Sequence, residues 1–453
     1  MPPDLAVPTD DIAEAWRRLD PVHALPADSP WYVDCSAERG IHRFVERMEQ
    51  AVTWSKAGVG GSAFVHDLVV GHRGSGKSTE LLRLKARLEA KGFYVHYVDM
   101  ADEMDPEEID FEAILTVVLR RLVSDLKKVG VTLDPRLLTQ VAQWFGERVE
   151  TVVGSKQAQV AVDVAAGLGS ENPLLTLLAK FTGFVRWGTE TSDTLTVQYR
   201  RYLSELRQQV QPLLTGADLE LQKRAASPCG LFIIVDSLDH IRLPARQDEV
   251  FIGSADLLCQ LPAHFVLTAP PALFSAGRGS EVETTFSRCH WLPIVKVRTL
   301  EGEPFPAGEE RMREIIAKRC ELSLFSEDAL ERLCRYSGGH VRHLVRLAQD
   351  ALHTAGVTPV TLESANRVVA SLSNTLATGR TPQEWVTLAE AERDPLGRPF
   401  SDEGRNLLFQ DCLLTHEDAQ ETDPECIPSQ WYAVHPCLRR QKPFRDALAR
   451  PEE

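Results

Sequence analysis

The residues best suited to chemistry in this 453-residue chain are Gly71-His72-Arg73-Gly74-Ser75-Gly76-Lys77-Ser78-Thr79. Their spacing, G-x-x-x-x-G-K-[ST], is that of a loop that cradles a polyphosphate. Gly71, Gly74 and Gly76 let the backbone curl until successive N–H groups face one anion. Lys77 brings a mobile positive charge to the β and γ phosphates, and Ser78 offers a hydroxyl to Mg²⁺. Ser75 and Thr79 belong to the same cradle. The expected ligands are therefore ATP and Mg²⁺. Such a metal needs a carboxylate, and Leu231-Phe232-Ile233-Ile234-Val235-Asp236 supplies one after an apolar run. A carboxylate there stands at the carboxyl end of a buried strand, where open α/β sheets hold ligands. Asp239 follows three residues later, either as a catalytic carboxylate or as the cap of a turn.

Positioning such a loop requires a strand before it and a helix after it. Phe64–Val70 reads as a short apolar strand, Ser78–Lys91 as a helix ended by Gly92, and Phe93–Met100 as a second strand. Strand, helix, strand at this spacing predicts a parallel sheet. Further strands are expected at Leu231–Val235, Phe265–Leu267 and Trp291–Val297, and helices at Ile41–Trp54 and Ile114–Leu126. The pattern divides the chain into a lead-in (1–55), a nucleotide-binding domain (56–298), a helical lid (299–375) and a winged-helix-like domain (376–453). A helical insertion is expected over about 135–225, a stretch too long for a simple loop. The fold class is thus α/β, a P-loop parallel sheet with helices on both faces.

With 43% hydrophobic and 25% charged residues the composition is that of a globular protein. A net charge of −15 argues against a non-specific polyanion binder. Nine dispersed cysteines fit a reducing compartment better than a disulfide framework. The N-terminal residues show no secretory pattern, and the longest apolar run, Leu174–Val185, is interrupted by Lys180. A cytoplasmic protein without a membrane span is expected.

The stretches GHRGSGKSTE, LFIIVDSLDH, HFVLTAP and SGGHVRHLVRLAQDAL together resemble the AAA+ and STAND branches of P-loop ATPases. The resemblance covers about residues 30–350, nearest to origin-recognition-like AAA+ proteins and bacterial STAND regulators. It implies a sheet in the order 5-1-4-3-2, a small helical lid and a winged-helix domain. It also implies that Thr268 is the polar sensor at the end of its strand and that Arg342 is the lid arginine. By the same resemblance, Arg288 is a finger offered to a neighbouring subunit. Two departures stand out: Ser237 replaces the glutamate that usually follows the metal aspartate, and Ala269-Pro270-Pro271 replaces an arginine after the sensor.

In the tail, Asn406–Gln410 reads as helix, Cys412–Thr415 and Trp431–Val434 as strands, and Cys437–Ala449 as a final helix. Arg439, Arg440, Lys442 and Arg445 give that helix a basic face, whereas Glu417, Asp418, Glu421, Asp423 and Glu425 make the intervening segment acidic. Such a wing repels phosphates and suits a protein partner better than nucleic acid. Cys412, His416, Cys426, His435 and Cys437 match no zinc spacing and read as core groups. His340 and His343 read as surface residues, and Trp31 and Tyr32 as either core aromatics or stacking partners for adenine. The functional expectation is a regulatory ATPase, a nucleotide-dependent switch that controls a partner or its own assembly into oligomers. Bacterial defence or stress signalling is a plausible setting for such a switch. The alternatives are an origin-like DNA-binding ATPase and a scaffold that holds ATP without turning it over.

Overall fold

A computed structural model describes residues 7–40, 44–56, 64–143, 203–223, 229–275, 277–397, 399, 401–418 and 429–450. Its centre is a five-stranded parallel sheet built from β1 (His66–Val70), β2 (Phe93–Asp99), β3 (Gly230–Asp236), β4 (His264–Ala269) and β5 (Arg288–Trp291), in the order β2-β3-β4-β1-β5. Read from the other edge this is 5-1-4-3-2, the order that the sequence resemblance implies. Every residue of β1, β3 and β4 is buried, which explains their continuous apolar runs. The register pairs Asp99 with Asp236 and Val70 with Ala269 and Trp291, so the strands' carboxyl ends share one edge.

Helices cover both faces of the sheet. On one face, α2 (Phe44–Lys56) and α3 (Lys77–Ala90) bury Val45, Met48, Leu81, Leu84 and Leu88 against Val69, Phe232 and Val266. On the other, α4 (Phe111–Lys128) and α5 (Leu203–Gln222) pack on Leu68, Ile233, Val235 and Leu267. Here Asp110 caps the first turn of α4 by accepting the Ala113 N–H. Of the insertion expected over 135–225, residues 144–202 lie outside the described set. Its final part, α5, is a layer of the sheet domain, because Leu206, Val210, Leu213, Leu214 and Ala217 form an apolar stripe with no exposure.

After the sheet come α6 (Pro306–Ala317), α7 (Glu327–Tyr336), α8 (Val341–Ala355) and α9 (Leu362–Ala377). The tail adds α10 (Pro382–Arg393), α11 (Asp402–Phe409), the antiparallel hairpin β6 (Leu413–Asp418) and β7 (Ser429–Val434), and α12 (Lys442–Leu448). These helices and a two-stranded wing make the expected winged-helix-like unit. It shares one hydrophobic core with the preceding helices, with Ala15 of the lead-in helix α1 (Ile12–Arg18) and with Leu19, which caps that helix.

Two sequence expectations are corrected here. The strand expected over Trp291–Val297 stops at Trp291: Leu292 still donates its N–H to Val70 O, but Ile294 donates to Thr415 O and Lys296 to Glu38 O. The chain leaves the sheet because its donors find partners in other units. The helix expected over Cys437–Ala449 is split into a single turn, Leu438–Arg440, and α12, with Gln441 extended between them as the residue that precedes α12. Among the described residues no helix is long and apolar enough to cross a membrane.

Candidate nucleotide site

The turn from β1 into α3 has the backbone that the glycines permit. Gly74 and Gly76 sit at φ +87° and +109°, and a Cβ on Gly71 would stand 2.7 Å from Leu292 O. Lys77, only 4% exposed, donates to Gly71 O and His72 O at 2.7 Å each and pairs with Asp239 Oδ2 at 2.9 Å. Its ammonium is thus held over the loop by groups that a phosphate oxygen would replace. Ser75 Oγ, fully buried, has no hydrogen-bond partner among the described residues.

Asp236 stands at the end of β3, 1% exposed. Its Oδ1 accepts the Ser237 N–H at 2.7 Å, and its Oδ2 accepts the Tyr97 hydroxyl from β2. Burial, with the charge of Asp239, raises the Asp236 carboxyl above its ordinary range, against hydrogen bonds from Tyr97, Ser78 and the Ser237 N–H. Burial also acts to raise Asp239, but the charges of Lys77 and His240, with hydrogen bonds from Lys77 and the backbone, together hold that carboxyl below its usual range. A buried carboxylate beside a serine hydroxyl at the mouth of a glycine cradle fits a hydrated divalent cation. Ser237 takes a left-handed conformation, φ +66°, as the chain turns from Asp236 towards Asp239.

Gly74, Ser75, Gly76, Lys77, Ser78, Thr79, Asp239 and Arg342 border one cavity of ≈ 950 Å³, counted with its open mouth. The lead-in supplies Trp31 and Tyr32 to its wall, and the helices after the sheet supply Ile315, Val341 and Val345. Tyr32 is pinned by Glu80 and carries the Arg83 guanidinium 3.8 Å from its ring centroid. Arg342 is already on the loop: its N–H donates to Gly74 O at 3.3 Å and its Nε to Pro21 O at 3.1 Å. Burial and the neighbouring Arg73 lower its pKa.

Of the site residues named from the sequence, Gly71, Asp236, Thr268 and Arg288 do not line this cavity. Thr268 is wholly buried on β4, and its hydroxyl accepts the Leu238 N–H at 3.0 Å, bracing the turn that carries Asp239. Arg288 is exposed on the edge strand β5, in register with Asp67. His340 and His343 are corrected from surface to interior positions: His340 has no exposure and His343 is half-buried, with their rings stacked 4.0 Å apart. Cys412 and Cys437 are free core thiols; His416 stacks on Trp431 at 4.3 Å, and His435 meets His343 at 3.1 Å. Cys426 lies outside the described residues.

Several residues enter the site that no sequence motif marked. Arg39, 7% exposed, donates from Nη2 to Ser75 O and from Nη1 to Pro293 O, both at 2.6 Å. Tyr97 orients the Asp236 carboxylate. His72, inside the loop motif but at one of its free positions, is 1% exposed and bonded to the tail. Only an acidic strand end beside an aromatic strand hinted at Tyr97.

No family model and no curated protein matches the chain. Among solved structures it is similar to the Orc1 protein of Aeropyrum pernix in complex with DNA, at 14% identity and TM-score 0.39 over 96% of each chain. It is also similar to Cdc6p of Pyrobaculum aerophilum, at 11% identity and TM-score 0.35 over 95% of this chain and 97% of that one. The Thermotoga maritima RuvB Holliday junction branch migration motor overlaps 76% of this chain and 73% of its own, at 10% identity and TM-score 0.30.

Proposed function

We propose that this chain binds ATP with Mg²⁺ and acts as a regulatory switch with slow hydrolysis. The observation that carries the reading is Lys77, buried and held by Gly71 O, His72 O and Asp239 beside the buried carboxylate of Asp236. The loop amides and the amino end of α3 would receive the β phosphate. Lys77 would turn from its carbonyl partners to the β and γ oxygens. Asp236 and Ser78 would hold Mg²⁺, which when bound neutralises charge developing on the transferred phosphoryl group. The base would lie between the Trp31–Tyr32 wall and Val341 and Val345. Asp239 is the carboxylate that would orient the attacking water once Lys77 releases it. Arg288, exposed on an edge strand, remains the residue to test as a finger between copies. Because the wall unites the lead-in, the sheet loop and α8, nucleotide binding would tighten one arrangement of these units, and a protein partner would read it.

A second reading, a scaffold that holds ATP without turnover, is favoured by one feature: Ser237 occupies the usual place of the glutamate, and Asp239 is engaged by Lys77. Steady-state hydrolysis across a range of protein concentrations, with Lys77→Ala as the blank, separates the readings. The switch predicts slow turnover that Lys77→Ala abolishes while the variant stays folded; near-normal turnover by that variant sinks the site. Turnover per subunit that rises with concentration implicates Arg288. Retained binding with turnover no greater than the blank's favours the scaffold.

A further inference from the structure

The phosphate loop is tied to the far end of the chain. Thr415, on β6, donates its backbone N–H to His72 Nε2 at 3.0 Å. That nitrogen is therefore an acceptor, and the proton lies on Nδ1, which donates to Asp411 Oδ1 at 2.9 Å. Burial acts to raise the Asp411 carboxyl, but its interactions with His340 and His72 hold it well below its ordinary value. Its other oxygen, Oδ2, lies 3.5 Å from Nε2 of His340, the cap of α8 two residues before Arg342. Asp411 itself is fixed in a left-handed conformation, φ +55°, in the turn from α11 to β6.

Three units thus meet at one carboxylate: the phosphate loop through His72, the helix that carries Arg342 through His340, and the C-terminal wing through its own backbone. His340, His343 and Asp411 also bring metal-type ligand atoms within 4.8 Å of one another. The proton positions argue against a metal. His340 Nδ1 accepts the His343 N–H, and His435 Nδ1 accepts the Cys437 N–H, which leaves His435 Nε2 to donate to His343 Nδ1. Each ring has one nitrogen filled as an acceptor, so the other carries the proton that a metal would have to displace.

We infer that Asp411 is a positioning residue for the nucleotide site, acting through His72 to set the orientation of the loop peptides that receive phosphate. This rests on the proposed nucleotide site and adds that the C-terminal unit completes it. The peptide of His72 is the relevant lever: its side chain is fixed by Asp411 and Thr415, and its carbonyl holds Lys77. Loss of the carboxylate leaves the imidazole held at Nε2 alone and so loosens the aim of that peptide. Binding of the base, on the opposite wall, does not depend on it. Positioning of the loop therefore predicts a loss selective for phosphates, which a general loss of structure would not produce.

The test uses the full chain and fluorescent mant-ADP and mant-AMP with Mg²⁺, the second lacking the phosphate that the loop cradles. Asp411→Gly removes the carboxylate without straining the left-handed backbone, and Asp411→Asn keeps an acceptor for the His72 N–H. Asp411→Gly is expected to weaken mant-ADP about tenfold, within the usual range of coupling between sites, and to leave mant-AMP within about twofold. Asp411→Asn is expected to retain most of the ADP preference, and His72→Ala combined with Asp411→Gly to be no worse than either alone. Equal losses for both nucleotides, additive losses in the double variant, or an unchanged ADP preference in Asp411→Gly would each overturn the inference. If Asp411→Gly does not fold, Asp411→Asn against His72→Ala decides, since equal loss in both excludes an acceptor role. Wild-type binding that Lys77→Ala removes and Asp411→Gly keeps leaves the nucleotide site standing and overturns this relay alone. A wild type that binds neither nucleotide overturns both.

Discussion

Lys77 and Asp239 make the decisive pair at the scale of single residues. Both are almost wholly buried, 2.9 Å apart, and the carboxyl is held below its usual range by that proximity. On the proposed function, a lysine so engaged would exchange one anion for another when phosphate arrives, so nucleotide binding would be a displacement. Asp239→Asn removes the competitor and, on the proposed chemistry, also the group that orients water. Turnover should fall by about tenfold or more, towards the range typical of a lost general base, while ATP binds as tightly as wild type or tighter. Unchanged turnover in a single-turnover assay would reduce Asp239 to a latch. The loop, Lys77, Ser78 and Asp236 were legible in the sequence because their chemistry lies in local spacing. Tyr97, Arg39 and Asp411 were not: their contacts span 139, 36 and 339 residues, and no local pattern encodes such pairs.

At the scale of elements, the sheet follows from its own apolar runs, and the errors fall where another unit competes for backbone donors. Pro293–Val297 is as apolar as a strand but spends the N–H groups of Ile294 and Lys296 on the hairpin and the lead-in. Periodicity cannot report that choice, since it records burial and not the identity of the hydrogen-bond partner. The same segment packs against the turn that leads into α8. Gly339 stands at φ +78°, and a Cβ there would lie 1.7 Å from Val295 O. Gly339→Ala therefore combines a left-handed backbone with a collision against main chain, and should destabilise the protein by about 3 kcal/mol or more. Urea denaturation reads this directly; a loss below about 1 kcal/mol would mean that the Val295 peptide moves aside freely.

The whole molecule keeps an unusual number of imidazoles out of water. Burial lowers His66 and His96 to about 4, and His416 and His435 to about 3, from an ordinary value of 6.5. Unfolding exposes each to protonation, so between pH 6.5 and 4 the unfolded chain binds more protons and stability rises with pH. Each such histidine contributes about 1.4 kcal/mol per pH unit within that window. The urea midpoint should therefore drop steeply from pH 7 to pH 5, and a flat profile would show that these rings reach water in the folded state. The tie between His72 and Thr415, 343 residues apart, has one more consequence, for synthesis. At about 5–20 residues per second, a nascent chain would carry an unfinished phosphate loop for tens of seconds before the strand that anchors it emerges.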